Sequence, residues 1–203
     1  LEQDGRDSSI GTTKRGNGPA YRDKYDRSGK LAKDHPKLSP YLIDLYEEFH
    51  ENGPVELLCE GAQGFDLDID WGDYPYVTSS HCTSSGALLN AIPYNWIRNV
   101  WGVAKIYETY VGAKSFEPDD PVFPLLRKYG EEFGATTGRP RQCNWLNIDK
   151  LSKAIKINGV NRLVVNKMDV MRQLGQWTLI KDGEEKHFEN ESEIKSYMSK
   201  QLT

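Results

Sequence analysis

Between Lys37 and Glu51 the apolar residues Leu38, Tyr41, Leu42, Leu45, Tyr46 and Phe49 recur at helical spacing, and Asn52-Gly53-Pro54 follows as a stop signal. The pattern predicts a helix over this stretch. Next, VELLCE (Val55 to Glu60) is a short continuous apolar run leading into Gly61, the layout of a strand that delivers a ligand loop at its C-terminal edge. Helical turns are expected around Ala87 to Trp101, a strand from Val103 to Val111, a proline-rich connection from Pro118 to Pro124 and a helix from Ile148 to Asn158. RLVVNKMD again has the form of a strand followed by a loop. WTLI (177–180) predicts a further strand turned at Asp182-Gly183, and Glu191 to Leu202 a closing amphipathic helix. Strands that end in polar, glycine-containing loops imply an α/β fold, with a mostly parallel central sheet flanked by helices and ligands bound along one edge.

Composition narrows the classes of function. At 203 residues, 37% hydrophobic and 28% charged, the chain is long enough for one domain with its own core or for a large part of a bigger one. A net charge of -4 supplies no general pull toward nucleic acid or anionic membrane, so neither is expected as a partner and any phosphate site must be built locally. Three cysteines, Cys59, Cys82 and Cys143, lack the paired spacing of a zinc site; free thiols in a reducing compartment, hence a cytoplasmic protein, are expected. No apolar run approaches the roughly 18 residues of a membrane span, and LEQDGRDSSIGTTKRG lacks a signal-peptide core.

Four segments carry chemistry. IGTTKRGNGPAY (10–21) sets glycines, the adjacent Thr12 and Thr13 and two cations in one loop, which can offer N–H groups, hydroxyls and guanidinium to a phosphate, although such stretches are more often plain turns. In GAQGFDLDIDWGDYPYVTSS (61–80), the Gln63 amide can donate and accept at a purine edge, and Thr78, Ser79 and Ser80 supply hydroxyls. The carboxylates Asp66, Asp68, Asp70 and Asp73 lack the spacing of a Ca²⁺ loop, so turn capping is their favoured role and no metal site is expected on this chain. EFGATTGRPRQCNW (132–145) combines Thr136 and Thr137 with the forked cations Arg139 and Arg141, suited to a dicarboxylate or a nucleotide, or simply to an exposed basic loop. In VVNKMD (164–169), a carboxylate at Asp169 can accept from both N1–H and the exocyclic amine of guanine, a donor pair adenine lacks, with Lys167 able to lie across the base.

Taken together, IGTTKRGNGPAYRDK, EGAQGFDLDIDWGDYPYVTSS, EFGATTGRPR and NKMD resemble, in order, the motifs of the adenylosuccinate synthetase family. The resemblance implies a P-loop-NTPase-like α/β fold and GTP-dependent joining of L-aspartate to IMP. In that chemistry the γ-phosphoryl group passes to O6 of IMP, and the aspartate amine then displaces phosphate at C6, so positioning and charge neutralisation suffice and no protein nucleophile is required. Residue by residue, Thr13 and Thr78 match positions that hold the IMP 5′-phosphate, with Thr12 adjoining; Gln63 matches the glutamine at the hypoxanthine and Val111 a residue lining the ribose. Arg27 matches an arginine that reaches the partner subunit's IMP site, implying a homodimer. Thr136, Thr137, Arg139 and Arg141 match the loop over aspartate, its arginines also reaching ribose and triphosphate, and Lys167 and Asp169 match the guanine readers. Gln63 and Arg141 are the residues expected to act in catalysis.

Departures from the pattern also carry expectations. Nothing in residues 1–9 resembles the family's glycine-rich phosphate loop, with its catalytic aspartate and Mg²⁺ ligands, or the catalytic histidine, and its C-terminal guanine-pocket turn is not found after Met171. Residues 1–203 are therefore expected to form a single α/β catalytic domain that is an internal fragment of a longer chain, with Mg²⁺ held by the remainder. Tyr110, Lys114, Pro140 and Gln142 replace usual family residues, and the short connection from Arg27 to Val55 suggests an archaeal-like or viral branch. Two alternatives follow: a viral homologue joining aspartate to dGMP with ATP or GTP, acting in the host cytoplasm, or a noncatalytic nucleotide-binding, dimerising module.

Overall fold

A computed structural model describes residues 10–12, 14–135 and 138–202. Contacts divide them into two compact units, residues 10–12 with 99–202, and residues 14–98.

The 14–98 unit is built largely from turns. It opens with helix α1 (Asn17–Asp26), and its later helix α2 (Ser85–Leu88) is a single turn. In place of the predicted helix over 37–51, the chain forms a one-turn 3₁₀ helix at Ser39–Tyr41 and a π-turn at Glu47–Glu51. Pro40 explains the difference: it lacks an N–H and disfavours helical geometry in the residue before it, so periodicity alone could not carry a helix through it. The expected strand at 55–60 is likewise absent. That run stays irregular, with Leu58 96% exposed, because apolar character makes a strand only where another strand pairs with it.

The other unit holds the sheets and the core. The chain makes β1 (Trp101–Lys105) and β2 (Tyr107–Tyr110), broken at Ile106 where a single strand was predicted, then α3 (Val122–Gly130), β3 (Gln142–Asn147), α4 (Ile148–Asn158) and β4 (Arg162–Asn166). It continues through α5 (Met168–Leu174), β5 (Trp177–Lys181), β6 (Glu184–Phe188) and α6 (Glu191–Gln201). β1 and β4 pair in parallel from Trp101↔Arg162 to Lys105↔Asn166. A four-stranded sheet runs β2-β3-β5-β6, in which β3 and β5 are parallel and both outer pairs antiparallel. The α/β class with parallel strands flanked by helices is thus present, with antiparallel edges that the sequence pattern did not announce. At the β5–β6 hairpin, Asp182 and Gly183 have φ of 56° and 79°, the paired positive values of a two-residue turn whose twist suits the strands. Helix α3 starts inside the expected proline-rich connection; Pro124 falls in its first turn, where a missing N–H costs no helical hydrogen bond.

The core gathers Ile106 at the β1–β2 break with Tyr107, Phe123, Leu126, Trp145, Ile148, Met171, Leu179 and Ile194 from β2, β3, β5 and the helices packed on them. Among the described residues no helix is long and apolar enough to cross a membrane. Asn147 ends β3 and caps α4, its side chain accepting from Lys150 N at 3.0 Å. Asn147→Ala should lower unfolding free energy by about 1 kcal/mol in urea denaturation, the usual effect of removing a side-chain cap; an unchanged midpoint would show that this bond contributes nothing.

Candidate functional site

The C-terminal ends of parallel strands β1 and β4 bring two cations to one edge. Lys105 closes β1, and Lys167 follows β4 directly with φ 63°, capping α5 and donating from Nζ to the Gly130 carbonyl at 3.0 Å. Asp169 lies exposed in the first turn of α5, not in an open loop as expected. After α3 the chain turns through Glu131 (φ 52°) and buries Glu132 at 1% exposure.

Glu132 is the centre of this edge. Its carboxylate accepts from Lys105 Nζ at 2.7 and 2.8 Å, from the Tyr107 hydroxyl at 2.7 Å and from Arg141 Nη1 at 2.8 Å. Burial alone would raise its pKa, but hydrogen bonds from Lys105 and Tyr107 and the Lys105 charge outweigh that and hold it below the usual carboxylate range. For Lys105, burial is the largest influence and lowers the ammonium pKa, with the nearby Arg141 and Lys167 charges acting the same way. Burial and the bond to Glu132 push the Tyr107 phenol up.

From Glu132 the chain loops out and returns at Arg141. The loop is closed by Arg141 N donating to Glu132 O at 3.0 Å, by a bridge between Phe133 and Pro140 and by Gly134 N donating to Arg139 O at 2.8 Å. The Arg139 guanidinium donates to the Gly11 carbonyl at 3.2 and 3.3 Å. Gly11 is required there: its φ is +72°, and a Cβ would meet Ala113 N at 2.8 Å. Ala113 N also donates to Ile10 O at 3.3 Å, so the segment containing Thr12, the Val111–Ala113 turn and Arg139 are brought together. Thr13, Thr136 and Thr137 lie outside the described residues.

Gln142, marked in the sequence only as a replacement of a usual family residue, organises the turn after Val111. Its Oε1 accepts from Phe116 N and Glu117 N at 2.8 and 3.2 Å, while Nε2 donates to Gly112 O and Lys114 O at 3.3 and 2.8 Å. Both Glu117 carboxylate oxygens pair with Arg127 Nη2, and Glu117 accepts from Cys143 N at 2.7 Å, tying the same segment to β3 and α3. No sequence motif signals either contact.

In the 14–98 unit, Asp68 is fully buried and fastens the acidic loop. It accepts from Asp70 N at 2.9 Å, Trp71 N at 3.2 Å and Cys82 N at 2.5 Å. Burial pulls its pKa upward, and these three N–H groups, with His81 nearby, bring it below the ordinary value. Turn capping, the role favoured from sequence, describes Asp68 well. Ligand atoms of Asp68, Asp70 and His81 lie within 4.8 Å of one another, but Asp68 is already committed to backbone and an imidazole is a poor partner for Mg²⁺, so this group does not fit that ion. Within the loop, Thr78 N donates to Leu67 O at 2.8 Å, Thr78 Oγ1 accepts from Asn17 Nδ2 at 2.9 Å, and Cys82 Sγ contacts Gln63 Oε1 at 3.9 Å. Gln63 and Thr78 therefore belong to one pinned loop, with Gln63 exposed at φ 61°. Arg27 caps the other end of α1 from Asn17, about 15 Å away at 1.5 Å per residue. It is exposed and is not brought beside Thr78 in the same chain.

Comparison with known proteins bears on this arrangement. A family model described as adenylosuccinate synthetase matches residues 30–192. Adenylosuccinate synthetase of Caldanaerobacter subterraneus subsp. tengcongensis is 36% identical over 225 residues, covering 86% of this chain and 52% of the relative. That of Stenotrophomonas maltophilia is 39% identical over 211 residues, covering 80% and 49%. The chain thus spans about half the length of the curated relatives it matches. Fully ligated adenylosuccinate synthetase from Plasmodium falciparum superimposes with a TM-score of 0.82 at 28% identity, covering 95% of this chain and 66% of that one. Succinoaminodeoxyadenylate synthetase of cyanophage S-2L, bound to dGMP and dATP, gives 0.63 at 19% identity over 95% and 66%, a likeness of fold alone. With motifs in family order, a matching α/β fold and a family model spanning most of its residues, the chain belongs to the adenylosuccinate synthetase family.

Proposed function

We propose that the protein acts as an adenylosuccinate synthetase in AMP synthesis, a ligase that joins L-aspartate to IMP at the expense of GTP through 6-phosphoryl-IMP, as a cytoplasmic homodimer. The observation that carries this reading is the run Asn166-Lys167-Met168-Asp169 at the end of a parallel strand, with Asp169 exposed in the first turn of α5 and Arg141 tied through Glu132 to Lys105 on the neighbouring strand. In this reading Asp169 accepts from N1–H and the exocyclic amine of guanine, and Lys167, held by Gly130, flanks the base. Arg141 neutralises the aspartate carboxylate and the triphosphate. Arg139, the Thr12–Thr13 segment and Val111 border the IMP ribose and phosphate, Thr136 and Thr137 complete the aspartate loop, and Arg27 serves the partner's site. Gln63 orients the hypoxanthine and Thr78 meets the 5′-phosphate. Mg²⁺ supplies charge neutralisation on the phosphates in such chemistry, and the Asp68, Asp70 and His81 group among the described residues is not suited to it.

Asp169 provides the test. Asp169→Asn in the whole protein should raise the GTP concentration for half-maximal turnover by roughly 10- to 100-fold, since a charged hydrogen-bond acceptor is lost. ATP should gain relative to GTP in the same assay. Unchanged GTP dependence would remove Asp169 from the base-reading role.

A further inference from the structure

We propose that Glu132 is a positioning residue for the amino-acid substrate: its buried carboxylate fixes the Arg141 guanidinium, and with it the base of the 132–141 loop, in the geometry that receives L-aspartate. The inference rests on the ligase reading above. Its ground is a division of exposure: the Glu132 side chain is 2% exposed, whereas those of its cationic partners Lys105 and Arg141 are 25% and 32% exposed. The carboxylate is sealed inside while the cations it holds reach the surface.

Two cations share this one carboxylate, so a surplus of positive charge is left at the surface, which suits an incoming carboxylate. A purely architectural anchor has no need of that surplus. Buried charge clusters are generally no more stabilising than apolar packing, so a sealed carboxylate between two cations points to a role in holding them. The bond geometry agrees. Oε1 takes Lys105 and Tyr107, and Oε2 takes Lys105 and Arg141, so both oxygens are occupied and the group cannot swing without breaking several bonds. The Arg141 N–H to Glu132 carbonyl bond forms the first rung of the same loop, coupling the side-chain pair to the backbone path toward Arg139.

The test is steady-state kinetics of the whole protein with Glu132→Gln and Glu132→Asp, alongside Arg141→Leu and the double variant Glu132→Gln/Arg141→Leu. Glu132→Gln should raise KM for L-aspartate by roughly 10- to 100-fold while kcat changes by less than about threefold, the signature of lost substrate binding. Glu132→Asp, which keeps the charge one methylene further back, should recover part of that loss. The double variant should saturate with aspartate no worse than Arg141→Leu alone, because both changes remove one coupled contact. Should Glu132→Gln fail to fold, the Glu132→Asp KM carries the same comparison. An unchanged KM in folded variants, with only the melting temperature lowered, would overturn the assignment and leave the ligase reading standing. Absence of any aspartate-dependent turnover by the wild-type protein would overturn the ligase reading and this inference with it.

Discussion

Arg141→Leu is expected to raise the L-aspartate concentration for half-maximal turnover by about 100-fold, with GTP saturation shifted less. The guanidinium has one N–H committed to Glu132 at 2.8 Å, and a 32% exposed side chain can still meet ligand. A forked cation binding a carboxylate contributes hydrogen bonds of roughly 1.5–3 kcal/mol each, and leucine supplies none. Arg141→Lys should restore only a fraction, because an ammonium cannot hold Glu132 and a planar carboxylate with the same two-pronged geometry. Folding should survive both changes, since Glu132 keeps Lys105 and Tyr107 as partners. The assay is initial rate against aspartate at saturating nucleotide; an unchanged KM would place the aspartate elsewhere.

Trp145→Ala should destabilise the unit formed by residues 10–12 and 99–202 by about 3–5 kcal/mol, the range for deleting a large aromatic side chain from a packed core. Trp145 is 2% exposed, stands opposite Tyr107 across β2 and β3, and has its ring centroid 5.0 Å from that of Phe123 on α3. The consequence extends to function. Tyr107 donates to Glu132, so a collapsed Trp145 site loosens the same carboxylate that holds Arg141. Urea denaturation followed by near-ultraviolet circular dichroism measures the loss. A midpoint within error of wild type would mean that the core is organised around other residues.

The elements legible in the sequence were those whose local signals agree with their packing. Helix α4 begins at a capping asparagine and ends at Gly159 with φ 63°, and its predicted bounds coincide with those observed. β4 and β5 are rich in apolar and β-branched residues bounded by turns, and both appear where predicted. β6 was missed because Glu-Glu-Lys-His-Phe is mostly polar, as an antiparallel edge strand with a solvated face can be. The run at 55–60 and the helical spacing at 37–51 misled because each has a pattern without, respectively, a paired strand or an unbroken set of N–H donors.

The site divides in the same way. Residues whose chemistry is written into a motif, such as Lys167, Asp169, Arg139 and Arg141, could be singled out as candidates in one dimension. Glu132 and Gln142 were not. Glu132 works through Lys105 and Tyr107, 27 and 25 residues away, and Gln142 through backbone groups of a distant turn, so their partners exist only once β1, β2 and β3 are assembled. A lone carboxylate or amide has no spacing to betray it.

The central claim is that the whole protein activates O6 of IMP as a phosphate leaving group before aspartate attacks. Supplying IMP labelled with ¹⁸O at O6, together with GTP, Mg²⁺ and L-aspartate, and analysing the released phosphate by mass spectrometry tests it directly. The account predicts one ¹⁸O in the phosphate for each adenylosuccinate formed. Unlabelled phosphate, or GTP hydrolysis without adenylosuccinate, would contradict it.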